Sequence, residues 1–220
     1  TLQFSARGPV PEGAFLDGSE VVLRLAGRGM RLSPPGGALL PSPAADNALA
    51  ALLAAVAAGA EPAAALGALA TFRPPPHRLE VVRECRGVRF VNDSKATNPG
   101  AAEAALRGQP GAPGSTIWLA GGRDKGLSFE PLARLAATRA RLALVYGEAA
   151  PKLLAALAGR LPAEQVATLD EALARAAAEA RPGDTVLLAP ACASFDQFRD
   201  YEERGERFRA LVSALDEEAS

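Results

Sequence analysis

Val88-Arg89-Phe90-Val91-Asn92-Asp93-Ser94-Lys95-Ala96-Thr97-Asn98-Pro99 is an apolar strand that breaks into a polar loop and then into a helix, with Asn98 as cap and Pro99 at the first helical position. Just upstream, Leu79 to Arg83 reads as a second strand, joined to Val88 to Val91 by a Cys85-Arg86-Gly87 turn, so the two form a hairpin. Downstream, strands and helices alternate. Helices are expected over Pro99 to Leu106, Glu130 to Ala137, Ala149 to Ala158, Glu171 to Ala180 and Tyr201 to Leu215. Strands are expected over Thr116 to Ala120, Leu142 to Tyr146, Val166 to Leu169 and Thr185 to Ala189. Strands this uniformly apolar need cover on both faces, so the pattern predicts an α/β fold, a mainly parallel sheet with helices on both sides.

Ahead of the hairpin stands Arg73-Pro74-Pro75-Pro76, a stiff segment that can continue neither helix nor sheet, and it divides the chain into residues 1–76 and 77–220. The first part opens with short strands at Leu2 to Ser5, Ala14 to Leu16 and, after an Asp17-Gly18 turn, Val21 to Leu25. A helix with Ser42 as cap and Pro43 at its first position runs to Gly59, and a second runs from Glu61-Pro62 to about Thr71. The chain begins at Thr1 with no recognisable entry element and reads as cut from a longer polypeptide.

The 220 residues are 49% hydrophobic and 22% charged, which excludes a disordered chain. Lys and Arg balance Asp and Glu to a net charge of -1, which leaves no overall positive field for nucleic acid or an acidic membrane surface. The apolar run from Asn47 to Ala58 is too short to span a bilayer, and no targeting segment is recognisable, so a cytoplasmic protein without membrane insertion is expected. Cys85 and Cys192 are far apart and outside any CxxC, which points to reduced thiols. The basic residues are lopsided. Only Lys95, Lys125 and Lys152 are lysines, against 21 arginines, so a lysine here marks a place where a compact charge serves better than a planar guanidinium.

Open α/β sheets bind ligands beyond the carboxyl ends of their strands. Three polar clusters fall there: Asn92 to Asn98, Gly121-Gly122-Arg123-Asp124-Lys125-Gly126, and Ala191-Cys192-Ala193-Ser194-Phe195-Asp196. With Lys95 and Lys125 on this rim, an anion site is expected, and Asp93 among these cations suits ribose hydroxyls or a metal ion. No GxGxxG or GxxxxGK[ST] loop is present.

Pro76-His77-Arg78-Leu79-Glu80, the Asn92 to Pro99 run, Gly121 to Gly126 and Ser194-Phe195-Asp196-Gln197-Phe198 together resemble the bacterial Mur ligases. Within that family the resemblance is nearest to the branch that couples D-glutamate to UDP-N-acetylmuramoyl-L-alanine. Sister ligases and folylpolyglutamate synthetases carry a histidine-containing motif where this chain has Lys95. The resemblance implies a three-domain enzyme, of which residues 1–76 are the tail of the central P-loop ATPase-type domain and 77–220 the Rossmann-like C-terminal domain. The UDP-binding domain, the phosphate loop and the family's carbamylated lysine have no counterpart here. The implied reaction uses ATP and magnesium, the latter bound mainly by parts not in this sequence. Phosphorylation of the UDP-N-acetylmuramoyl-L-alanine carboxylate gives an acyl phosphate, which the D-glutamate amine attacks. Carried over position by position, Asn47 meets the adenine and Arg78 and Asp93 the phosphates and ribose. His77, Lys95 and Lys125 become the catalytic group, and Thr97, Lys125, Ser194, Phe195 and Tyr201 hold D-glutamate. No metal ligand is assigned. A monomer is expected, and the fragment alone is expected to be inactive. The rival readings are another Mur or folylpolyglutamate-synthetase-like ligase, or a nucleotide-binding module without chemistry.

Overall fold

The computed structural model describes residues 1–34, 44–72 and 74–215, divided into two compact units, Thr1–Arg73 and Pro74–Ser220. In the first unit, β1 (Gln3–Ser5), β2 (Gly13–Asp17), β3 (Glu20–Leu25) and β4 (Arg28–Leu32) form a four-stranded sheet in sequence order. Only the β1–β2 pair is parallel. Two helices follow, α1 (Ala44–Ala57) and α2 (Pro62–Thr71). Ala14, Val21 and Leu23 form one buried cluster with Leu49, Leu52, Leu53 and Leu66. The Glu61 carboxylate caps α2 by accepting the amides of Ala63 and Ala64 at 3.0 and 2.7 Å. The expected Ser42 cap and Pro43 lie outside the described residues. Strand β4 was not legible in sequence because Arg28-Gly-Met-Arg-Leu lacks apolar alternation. It is held by its ladder to β3 and by Arg31, which pairs with Asp17 and Glu20.

The second unit contains β5 (Glu80–Cys85), β6 (Val88–Asn92), α3 (Pro99–Arg107), β7 (Thr116–Gly121), α4 (Glu130–Arg139), β8 (Ala140–Tyr146), α5 (Ala150–Leu157), β9 (Ala163–Gln165), α6 (Leu169–Glu179), β10 (Thr185–Ala191) and α7 (Tyr201–Ala214). The strands form one sheet in the order β5-β6-β10-β7-β8-β9, with β5 antiparallel to β6 and every other pair parallel. Alternate residues of each strand serve opposite cores. Trp118, Ala120, Ala143, Val145, Leu187 and Ala189 pack with Leu106, Leu132 and Leu153 of α3, α4 and α5. Ile117, Leu119, Leu144, Tyr146, Val186 and Leu188 pack with Leu173 of α6 and Phe208 and Val212 of α7. Each buried leucine contributes about 2 kcal/mol of transfer free energy, so both layers hold the sheet. The doubly covered, mainly parallel sheet expected from the alternation is the one observed.

One expectation fails. The short strand lies at Ala163–Gln165 instead of Val166 to Leu169, and Leu169 opens α6. Thr168 Oγ1 accepts the Glu171 amide at 3.2 Å while the Glu171 carboxylate returns to the Ala167 amide at 2.8 Å. These reciprocal caps commit the segment to a helix start, which outweighs its apolar run.

Candidate functional site

Because β10 lies between β6 and β7, the chain reverses its winding there, and the crevice beyond the carboxyl ends of these three strands is the favoured ligand position. Their loops are stitched together by backbone bonds. The Ala191 amide donates to Ala96 O at 2.9 Å, and Arg123 and Ala193 exchange two bonds at 2.8 and 3.2 Å. Gly122 permits this approach. Its φ is +123°, and a Cβ there would lie 2.1 Å from Ala193 O.

Arg204, fully buried on α7, closes the arrangement. Its guanidinium donates to Ser94 Oγ (3.0 Å), Ser94 O (2.9 Å), Cys192 O (3.2 Å from two nitrogens) and Gly121 O (3.5 Å). Ser94 Oγ donates to Tyr201 O at 2.8 Å, so the loop after β6 is also tied to the start of α7. Burial pulls Arg204 below its ordinary value, opposed by Tyr146, Cys192 and Asp196 nearby. The same burial pushes the Tyr146 phenol and the Cys192 thiol each up to about 12, which leaves Cys192 without nucleophilic character.

On this frame the structure brings Lys95, Thr97, Lys125, Ser194, Phe195 and Tyr201 to one rim. Lys95 Nζ stands over the Tyr201 ring, 3.6 Å from its centroid, a cation–π contact that fixes the ammonium. Thr97 is half-buried two residues on, Ser194 is buried, and Phe195 is exposed by 60%, unusual for a phenylalanine not in contact with a ligand or partner. Lys125 is exposed in the loop after β7. Lys152 pairs with Asp124 at 2.7 Å. Neither Lys95 nor Lys125 has a carboxylate oxygen within ion-pair distance among the described residues. Lys95 thus meets only the Tyr201 ring, and neither rim cation is neutralised by a carboxylate of the described residues.

Asp93 lies on the β5 side of the rim. It is 8% exposed, and Oδ1 accepts one weak bond, from the Leu79 amide at 3.4 Å. Burial pushes its carboxyl up to about 6, moderated by the Leu79 amide and the charge of Arg78. An under-coordinated buried carboxylate next to an arginine fits hydroxyl donors or a cation. Arg78 is exposed and borders a cleft of about 280 Å³ with Pro74, Pro75, Leu79, Glu80 and Arg209.

His77 does not open onto the rim. It is 4% exposed, and its Nδ1 accepts from Asn92 Nδ2 at 3.0 Å, which places the proton on Nε2, 3.3 Å from Glu206 Oε1. The ring lies against Gly205, where an added Cβ would fall 2.2 Å from Nδ1. Asn92 also donates to Gly205 O and accepts from the Ser94 amide. Asn47 is exposed on the first turn of α1, in the other unit. Sequence reasoning missed Arg204 and Gly205. The spacing of Arg204, Phe208 and Val212 along one face of α7 was the available signal, since it sets the arginine on the buried stripe.

Comparison with known proteins fits this geometry. The family described as "Mur ligase, glutamate ligase domain" matches residues 77–192, just over half of the chain. The chain belongs to the Mur ligase family. Among curated Mur ligases it is 46% identical over 216 residues to a protein of Solibacter usitatus, covering 97% of this chain and 47% of that one. It is 50% identical over 172 residues to one of Frankia casuarinae, covering 77% and 36%. Both are named UDP-N-acetylmuramoylalanine--D-glutamate ligase. The chain thus spans about half the length of the curated relatives it matches. Among solved structures, a pseudomurein peptide ligase type C from Methanothermus fervidus superposes with a TM-score of 0.70 at 17% identity, over 95% of this chain and 43% of that one. The MurF ligase of Thermotoga maritima, in complex with ADP, superposes with a TM-score of 0.61 at 18% identity, over 100% and 49%. At such identities these two speak for the Mur ligase fold alone.

Proposed function

We propose that this chain is the C-terminal half of an ATP-dependent, amide-forming ligase that joins D-glutamate to UDP-N-acetylmuramoyl-L-alanine in peptidoglycan precursor synthesis, acting as a cytoplasmic monomer. The observation that carries this reading is the pair of ammonium groups without a carboxylate partner among the described residues, Lys95 and Lys125, on one loop rim. Lys125 offers a counter-charge to a carboxylate of an acidic amino acid, and Lys95 to the activated carboxyl that its amine attacks. The names of the curated relatives point the same way.

In this reading residues 1–76 are the tail of the central ATPase domain, and 77–220 are the amino-acid-binding domain. Lys125 pairs a carboxylate of D-glutamate, and Thr97, Ser194, Phe195 and Tyr201 surround the rest. Lys95, steadied by Tyr201, serves the reacting carboxyl. Catalysis is then a matter of holding the amine in line with the activated carbonyl while fixed cations neutralise charge. Asp93 and Arg78 fit a nucleotide: the carboxylate accepts from ribose hydroxyls and the guanidinium faces phosphate. ATP supplies the phosphoryl group that activates the carboxylate. Asn47 is assigned an amide contact to the adenine. His77 acts next to the reacting region by holding the Asn92–Ser94 strand end. Magnesium is expected to be held mainly by parts of the ligase outside this sequence.

The reading is tested by thermal unfolding of the full-length ligase with single amino acids. D-glutamate should raise Tm, while L-alanine, diaminopimelate and L-glutamate should not. Protection by another amino acid would shift the assignment to a sister ligase. No protection by any of them, with ATP still bound, would favour a module without chemistry.

A further inference from the structure

Of the three lysines retained in this arginine-rich chain, two stand on the rim and the third, Lys152, reaches it from α5. Lys152 lies in the first turn of α5, with Nζ 2.7 Å from Asp124 Oδ2 and 5.3 Å from the centroid of the buried Phe129 ring. The other oxygen of that carboxylate, Oδ1, accepts the Gly126 amide at 2.8 Å. Asp124 is therefore held from both sides, by the helix and by its own loop. Lys125 sits between the two bonded residues.

The arrangement solves an electrostatic problem. An aspartate adjacent in sequence to the cation that must meet an anion is a competitor: free to turn, it would pair with Lys125, and even unturned its charge would repel an incoming carboxylate. We infer that Lys152 is a positioning residue for Lys125, holding and neutralising Asp124 so that the Lys125 ammonium stays available to an anionic ligand. A compact ammonium suits the task. It meets a single carboxylate oxygen end-on and leaves the other to the loop amide, where a guanidinium fork would engage both. The hydrogen bond from Lys152 holds the Asp124 carboxyl below its ordinary value, which agrees with a carboxylate kept charged and committed.

Two measurements test this, the first without any substrate. With only three lysines in the chain, their ε-methylene signals separate in a carbon-13 spectrum and are assigned by single Lys→Arg substitutions. In Lys152→Met the ε-methylene protons of Lys125 should become inequivalent as Asp124 captures its ammonium, and Asp124→Asn in the same background should restore the wild-type signal. An unchanged Lys125 signal in Lys152→Met overturns the inference. The second measurement rests on the D-glutamate reading. In the full-length ligase Lys152→Met should raise KM for D-glutamate roughly five- to tenfold with kcat little changed, and adding Asp124→Asn should return KM to within about twofold of wild type. A double variant as impaired as Lys152→Met shows that Lys152 acts other than through Asp124 and overturns the inference. If the spectra behave as expected while wild-type enzyme does not use D-glutamate, the substrate reading fails and the positioning role stands.

Discussion

Arg204 holds Ser94 twice, through its hydroxyl at 3.0 Å and its carbonyl at 2.9 Å, although the two residues belong to the last helix and the first site loop of the unit. Removing the guanidinium would strand the carbonyls of Ser94 and Cys192 inside the protein, at about 1–3 kcal/mol each. Arg204→Met should therefore lower the unfolding free energy by about 3 kcal/mol or more, and Arg204→Lys should recover only part, since one ammonium cannot span three loops. Urea denaturation measures both. A loss under 1 kcal/mol would mean that the loops hold without it.

Asp93 makes stability depend on acidity in an unusual direction. Its folded-state value, about 6, lies above the ordinary 3.8, so as pH rises the unfolded chain releases this proton first. The contribution is full below about pH 4, falls as pH rises through about 6, and totals on the order of 3 kcal/mol. Asp93→Asn should flatten the stability curve between those limits and be more stable than wild type at pH 7.5. Denaturation midpoints that run parallel for the two proteins across the window would refute this.

Lys125 tests the ligand assignment itself. In the full-length ligase both Lys125→Ala and Lys125→Arg should raise KM for D-glutamate, by roughly 2–3 kcal/mol in transition-state binding where a charge-assisted bond is lost. Acyl-phosphate formation, trapped in the absence of D-glutamate, should persist. Failed trapping with D-glutamate affinity intact would move Lys125 to the phosphate site.

Gly205 is required by its neighbour. A methyl group at this position would enter the His77 ring, so Gly205→Ala should destabilise the protein by about 2 kcal/mol despite the better helix propensity of alanine. His77→Ala in that background should recover part of the loss, and a double variant no better than Gly205→Ala would show that the clash is relieved elsewhere.

The contrast between residues read correctly and those missed follows from range. The Val88 to Pro99 segment was legible because each signal acts within a few residues: the apolar strand, the Asn98 cap, the proline behind it. Asn98 does accept the Ala101 amide, at 2.9 Å. Strand β4 was not legible, since its stability comes from pairing with β3. The placement of Lys95, Thr97, Lys125 and Ser194 beyond strand ends followed from a general rule, whereas the meeting of their loops depends on β10 lying between β6 and β7, an order no local signal carries. The sealed environment of His77 and the span of Arg204 depend on α7 folding back against β6, and an arginine on a helix reads in isolation as a solvated group. Asn47 illustrates the remaining limit: its place in α1 is set, but its role depends on a unit other than the one that holds the rim.

The outer strands of the larger sheet carry one more consequence. On one side β9 is three residues long; on the other, β5 loses register with β6 between Val81 and Arg83, leaving Val82 as an extra residue in a strand that carries Glu80, Arg83 and Glu84. Neither margin offers a long, flat, uncharged row of free amides and carbonyls to a second molecule. Fibre growth through the edges of this sheet should accordingly be disfavoured, and straightening β5 by deleting Val82 should be the shortest route to losing that protection.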